Sequence, residues 1–147
     1  ISLETGEVMG LARPVNLKNA SIDIIRDYAP DAFLTRPVHD TTKGTVALMA
    51  PTAASVEAVN TPATPTWMIL PRYRAGADAS LTPMGSGTAF LQIADNAMNY
   101  HILGARGFEA VGRMVDRCRS FGFEYSRLDD AIAVFDRLAA EAERSAP

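Results

Sequence analysis

The chain has 147 residues, a formal net charge of −3, and 48% hydrophobic against 21% charged residues. This is the composition of an ordinary globular domain with a hydrophobic core, and it excludes a strong attraction of the whole molecule to nucleic acid or an anionic membrane. A single cysteine excludes an internal disulfide, and two histidines with one cysteine give no zinc-site spacing, so we expect no metal site.

The first thirty residues predict short strands followed by one helix. A strand, a tight turn at Gly6 and a second strand are expected within residues 1–12. A short amphipathic helix should follow, capped by Asn19 or Ser21 and stopped by Pro30.

The next segment predicts two buried strands separated by connections. Residues 31–42 resemble a loop, whereas the continuous apolar run 44–50 predicts a strand buried on both faces. Residues 51–65 predict a connection with about one helical turn. The run Trp67–Leu70 predicts another buried strand, closed by Pro71.

In the rest of the chain the apolar residues recur with a helical period, which predicts three amphipathic helices over residues 88–102, 108–118 and 128–138. Gly122 should end the second helix, Phe123–Tyr125 should form a short strand, and Ser126 should cap the third helix. We therefore expect a mixed α/β fold in a single domain or domain fragment over 1–147, strand-rich in 1–83 and helix-rich in 84–147. Because the chain opens with Ile1 in mid-pattern, we expect further residues upstream.

The sequence contains no phosphate-binding loop motif for a nucleotide. No G-x-x-x-x-G-K-[ST] occurs, so no loop within these residues is expected to wrap main-chain amides around a nucleotide phosphate. Gly85-Ser86-Gly87-Thr88 is glycine-rich, but it has no lysine and the wrong spacing. A flexible helix start is the better interpretation of that segment.

Two polar stretches could bind an anion. Arg72 and Arg74 follow a buried strand, where ligands of α/β sheets gather, so they could clamp a phosphate or could equally be two solvated loop arginines. Lys43 and His39 lie just before the buried strand predicted over 44–50. His39 beside Asp40 is more typical of a surface hydrogen-bonded pair than of a general base.

Several segments, taken in order, are similar to the bacterial HPr kinase/phosphorylase family. Ala97-Met98-Asn99-Tyr100 followed by Gly107-Phe108-Glu109-Ala110 resembles its C-terminal signature. Further segments fit the group labelled HprK-related kinase A: Arg13-Pro14-Val15-Asn16-Leu17-Lys18, Asp40-Thr41-Thr42-Lys43-Gly44-Thr45-Val46-Ala47, Leu70-Pro71-Arg72-Tyr73 and Leu128-Asp129-Asp130-Ala131-Ile132. The loop after Asn99 is one residue longer than the family's and carries only His101 and Arg106.

That resemblance implies the C-terminal half of a P-loop kinase fold akin to phosphoenolpyruvate carboxykinase. It implies ATP and Mg²⁺ as cofactors of the intact protein, with the nucleotide loop and catalytic residues upstream of Ile1. It also implies a protein or small-molecule hydroxyl substrate and a homo-oligomer. A cytoplasmic setting is expected separately, because the sequence shows no signal peptide and no apolar run near the roughly 20 residues that a membrane span needs. By this resemblance Arg106 is expected to be a phosphate-steering or substrate-contacting cation. Asn99 is a separate expectation from the residues: it falls beside the apolar stripe of the predicted helix, so it should be partly buried and pin the following loop.

Three hypotheses about function remain open at this point. In the first, Lys43, Arg72, Arg74 and Arg106 converge on one rim of the sheet to hold a phosphoryl group or substrate. In the second, the chain is a non-catalytic oligomerisation or partner-binding domain. In the third, it is an unrelated α/β enzyme with a site around His39 and Asp40.

Overall fold

A computed structural model of the chain describes residues 1–145, which form two compact units. One unit is Met9–Ala63, and the other is Ile1–Val8 together with the chain from Thr64 onward. Each unit contains a three-stranded sheet with flanking helices. The predicted mixture of strands and helices is therefore confirmed, with the strands divided between two small sheets.

The unit Met9–Ala63 is built on an antiparallel sheet with β3 in its centre. Its elements in chain order are β1 (Val15–Lys18), α1 (Ala20–Tyr28), β2 (Val38–Thr41), β3 (Gly44–Met49) and α2 (Ala53–Glu57), followed by a 3₁₀ turn (Ala58–Asn60). Leu17, Ile22 and Ala47 form its buried core.

Three expectations for the first 63 residues need correction. No strand lies within residues 1–12, since the first begins at Val15. The supposed loop 31–42 contains β2, whose polar residues hide the strand pattern. The strand β3 is confirmed, but it is not buried on both faces, because Leu48 is 39% exposed. An antiparallel sheet can leave one face open to solvent in this way.

The second unit contains a mixed sheet in the order β4-β6-β5, in which β6 runs parallel to β4 and antiparallel to β5. Its elements are β4 (Trp67–Tyr73), β5 (Ser80–Pro83), α3 (Ser86–Asn96), α4 (Tyr100–Leu103), α5 (Ala105–Arg117), β6 (Arg119–Tyr125) and α6 (Leu128–Ser145). Within residues 1–145, no helix combines the length and apolar character needed to cross a bilayer.

The two faces of this mixed sheet carry separate cores, because successive side chains of a strand point to opposite faces. Met68 and Leu70 of β4 face α3 and α5, where Ala89 and Val111 complete an apolar cluster. On the other face, Phe123 packs against α6 and is only 2% exposed. The helices α3 and α6 thus lie over opposite sides of β6.

Strand β4 does not end at Pro71, as its sequence suggested, but continues to Tyr73. The carbonyl of Thr66 accepts from Arg119 N at 3.0 Å, and the amide of Arg74 donates to Tyr125 O at 2.9 Å. Even-numbered residues of β4 therefore bond to β6, and the nitrogen of Pro71 points to the opposite edge. Among the described residues that edge pairs with no strand. A proline fits there because it removes no bond of the ladder.

Helix boundaries in the second unit also differ from expectation. The stripe predicted over 88–102 is interrupted, since the main chain turns extended at Ala97 (φ −86°, ψ 109°) and α4 begins separately. The next helix ends at Arg117, where Cys118 is already extended (φ −90°, ψ 143°). Gly122 ends no helix, because it lies inside β6. Ser126 does not cap α6, because the residue directly before the helix is Arg127, and the Ser126 hydroxyl donates instead to Ala77 O at 2.7 Å.

The segment Ile1–Val8 is held against α5 by arginines. Its turn is closed by Ser2 N donating to Glu7 O at 2.8 Å, with Gly6 in the left-handed region at φ 73°. Arg113 donates to the carbonyl of Leu3 at 2.5 Å, and Arg117 donates to that of Thr5 at 3.4 Å. Two guanidinium groups therefore tie the first residues of the chain to α5, within the same unit.

Candidate functional site

The second unit contains an open groove of about 930 Å³, which we call the polar groove. It lies between one face of the mixed sheet and the C-terminal part of α3. Its polar lining residues are Arg72, Ser80, Thr82, Gln92, Asn96 and Glu124, and its apolar ones include Met68, Leu70, Met84 and Ile93. Arg72 and Glu124 lie near the carboxyl ends of the parallel strands β4 and β6, the position where ligands bind in α/β sheets.

Gly122 lies in the floor of the polar groove, in the middle of the central strand. Its φ lies outside the left-handed region, and a Cβ built there would meet only Met84 Cε, at 3.8 Å. Neither the backbone nor the packing therefore requires a glycine. A glycine inside a strand weakens it and often marks the close approach of a ligand.

One ion pair borders the groove. Arg74 Nη2 lies 2.7 Å from Glu124 Oε1, with the two side chains 65% and 30% exposed. A pair this exposed contributes at most about 1 kcal/mol to stability. Its clearer effect is geometric, because it fixes the Glu124 carboxylate at the end of β6 while Arg72 stays free of any ion pair among the described residues.

The four cations suggested by the sequence have different positions in the structure. Arg72 lines the polar groove, and Arg74 borders it through Glu124. Arg106 lies exposed in the first turn of α5 and is not among the residues that line the groove. Lys43 belongs to the other unit, in the turn between β2 and β3. The convergence of all four on one rim stays a prediction.

The hairpin around Lys43 is held by local hydrogen bonds. Lys43 N donates to Thr41 Oγ1 at 3.1 Å, and that hydroxyl donates to Gly44 O at 2.6 Å. His39 is exposed, and its Nδ1 lies 3.2 Å from Thr45 Oγ1. Asp40 has φ 57°, as a short polar side chain tolerates at a turn. These contacts describe a well-bonded turn with an exposed lysine.

Asn99 differs from expectation in its burial. Its side chain is exposed rather than partly buried. Its main-chain carbonyl accepts from Ile102 N at 3.1 Å and Leu103 N at 3.2 Å. The main chain of Asn99, not its side chain, therefore starts α4.

Sequence reasoning missed most of the polar groove. The missed residues are Ser80, Thr82, Gln92, Asn96, Gly122 and Glu124. A usable signal was present in β6, where small or polar residues alternate with aromatic ones: Ser120, Gly122 and Glu124 against Phe121, Phe123 and Tyr125. Such a period of two marks a strand with two different faces, one filled by large rings and one that leaves room above small side chains.

A second groove, of about 530 Å³, lies between α3 and α5, and we call it the apolar groove. Phe90, Leu91 and Phe108 line it, with Leu91 64% and Phe108 59% exposed. The rings of Phe90 and Phe108 lie 5.0 Å apart. Exposed apolar side chains gathered in one place are typical of an interaction surface.

The chain matches no family model, no curated protein and no solved structure. The assignment of a ligand therefore rests on the residues themselves. They do not fit a complete magnesium–nucleotide site, because the sequence has no phosphate-binding loop motif. Residues 1–145 also bring together no group of three His, Cys, Asp or Glu side chains that could hold a metal ion. What they do offer is a groove that mixes hydrogen-bonding groups with an apolar floor.

Proposed function

We propose that this chain is the C-terminal half of an ATP-dependent kinase resembling HPr kinase, and that it binds the molecule to be phosphorylated. The nucleotide loop and the magnesium ligands belong, in this proposal, to another segment of the intact protein. ATP bound there would supply the phosphoryl group that an acceptor hydroxyl receives. The residues of this chain would bind the acceptor and orient its hydroxyl.

The observation that supports the proposal best is the polar groove at the carboxyl ends of β4 and β6, with Arg72 in its wall. Phosphoryl transfer depends mainly on positioning and on neutralisation of charge, and both can be supplied by a groove with a cation at its edge. Arg72 has no ion-pair partner among the described residues, so its guanidinium can contact the phosphoryl group during transfer.

The test is a phosphoryl-transfer assay on the intact protein with radiolabelled ATP, comparing Arg72→Ala with wild type. Loss of one hydrogen bond from a charged group costs about 1.5–3 kcal/mol, or roughly 10- to 150-fold in kcat/KM. Arg137 is an exposed arginine on α6 outside the groove, so Arg137→Ala is the matched control and should leave kcat/KM unchanged. Equal activity of Arg72→Ala and Arg137→Ala, or the absence of any transfer by the intact protein, would contradict the proposal.

A second candidate function is a non-catalytic module for oligomerisation or partner binding, and the apolar groove favours it. The discriminating feature is the reading frame of the parent gene, because a G-x-x-x-x-G-K-[ST] upstream favours the kinase and its absence favours the module. Light scattering after size-exclusion chromatography, on wild type and on Phe108→Ser, tests the module directly. Dissociation of an oligomer by Phe108→Ser would support it.

A further inference from the structure

The polar groove combines groups that both donate and accept hydrogen bonds. Ser80 and Thr82 present hydroxyls from β5, and Gln92 presents an amide from α3. None of these three side chains hydrogen-bonds to another described residue. Asn96 uses its amide nitrogen on Gln92 O at 2.7 Å, which leaves its side-chain oxygen as an acceptor. Ligand hydroxyls match such a lining, because each hydroxyl also donates and accepts.

The charge of the groove argues against a polyanionic ligand. Its lining contains one cation, Arg72, and one anion, Glu124. A phosphate-rich ligand requires several positive groups, but with Glu124 paired to Arg74 the groove offers, among the described residues, only the charge of Arg72, beside a carboxylate that repels phosphate at short range. A neutral ligand avoids that repulsion and can donate hydroxyl hydrogens to the carboxylate oxygens. One unpaired cation is too little positive charge for a polyanion, so the lining favours a neutral molecule.

The floor of the groove suits the carbon skeleton of such a molecule. Met68, Leu70, Met84 and Ile93 provide an apolar surface on which C–H groups can pack. Because Gly122 has no side chain, it leaves space for a ligand in the middle of that floor. Neither its φ nor the nearest atom, Met84 Cε at 3.8 Å, requires a glycine there. The volume of about 930 Å³ lies within the range of small-molecule sites.

We propose that the polar groove binds a neutral polyhydroxylated molecule of the sugar or polyol class. Ser80, Thr82, Gln92 and Glu124 bind its hydroxyls, and the apolar floor packs against its C–H groups. On the proposed kinase function, on which this part of the inference rests, the bound molecule is the phosphoryl acceptor. Arg72, at the edge of the groove, then faces the hydroxyl that reacts.

The experiment is an NMR titration of the 147-residue chain with glucose, maltose, trehalose and myo-inositol, beside inorganic phosphate and a serine-containing peptide. The inference predicts saturable shifts of the amides of residues 80–82, 84, 92–97 and 122–124 with at least one of the four neutral compounds. Gln92→Ala and Thr82→Val should each weaken that binding by about 2- to 10-fold. Gly122→Val should abolish it by filling the floor. Asp95→Ala, on the same helix but outside the lining, is the matched control and should leave it unchanged.

Two results would overturn the inference. One is that none of the four neutral compounds shifts the groove amides; the other is that phosphate or the peptide shifts them instead. The outcome is separable from that of the proposed function. If the intact protein phosphorylates a protein serine and no sugar or polyol binds, the inference fails and the kinase proposal stands. If a sugar binds but the intact protein transfers no phosphate, the binding stands and the kinase proposal fails.

Discussion

Replacement of Gly122 by alanine tests whether this glycine is required for folding or for ligand binding in the polar groove. The new methyl group would meet only Met84 Cε at 3.8 Å, an ordinary van der Waals contact. Glycine is the residue that loses most conformational freedom on folding, so alanine should stabilise the strand by about 0.4–1 kcal/mol. The same methyl group occupies the floor against which a ligand would pack.

The stability change is measurable by urea unfolding. The only tryptophan of the chain, Trp67, lies on β4 beside β6, so its fluorescence follows the unit that contains Gly122. With a urea m-value of about 2 kcal/mol/M, the midpoint should rise by about 0.2–0.5 M. The corresponding rise in Tm is about 1–4 °C.

Gly122→Ala should have two effects together: a higher urea midpoint and weaker ligand binding in the polar groove. Many substitutions that improve a fold weaken a site in this way. Asp95→Ala, on α3 and outside the groove lining, is the control for ligand binding. A lower urea midpoint for Gly122→Ala than for wild type would refute the argument, because it would show that the strand itself requires the glycine.

Three further predictions concern the two folded units. Phe123→Ala removes a residue that is 2% exposed and whose ring centroid lies 5.3 Å from that of Phe135. The free energy of unfolding, monitored by Trp67 fluorescence, should therefore fall by about 3–5 kcal/mol. A much smaller fall would mean that the core on the α6 side is loosely packed. Gly44→Ala should lower the free energy of unfolding by about 1–2 kcal/mol because of its φ of 81° alone, and the new Cβ would also collide with Asn19 Oδ1. Unfolding followed by circular dichroism should therefore show a smaller loss in an Asn19→Ala background. Equal losses in the two backgrounds would exclude the collision. Burial raises the pKa of the Cys118 thiol above its ordinary value of 9.0 despite the charge of Arg117, so iodoacetamide should modify the folded chain more slowly than the unfolded chain. The stabilisation linked to this thiol is present below the unfolded pKa and is lost as pH rises through the folded pKa, and unfolding curves without such a loss at high pH would contradict it.

Much of the secondary structure was predictable from sequence, because apolar periodicity is strong where a helix or strand packs against a core. The three amphipathic stripes gave α3, α5 and α6, and the apolar run before Ala50 gave β3. Strand β2 was missed because His39 and Asp40 break the apolar pattern of an exposed edge strand. Its partner β3 supplies the hydrogen bonds that make it a strand, and a local pattern does not report them.

The candidate site was harder to predict than the fold. Arg72 was found, because basic residues at a strand end are visible in the sequence. The residues around it come from β5, α3 and β6, which are brought together by the pairing of both β4 and β5 with β6 and by the packing of α3 on the sheet. Gly122 was mistaken for a helix terminator, since a glycine after an amphipathic stripe is typical of a helix end. Its true position became clear only from the strand register.

The orientation of Pro71 limits how β4 can associate with other chains. A strand from a neighbouring molecule, laid along the open edge, would find amide donors at Trp67 and Ile69 and then none at the proline. Exposed, apolar strand edges are the usual starting points of aggregation, and a proline is one of the natural ways to block them. An intermolecular ladder begun on β4 would therefore break after two donors, which protects an apolar strand from growth into fibres.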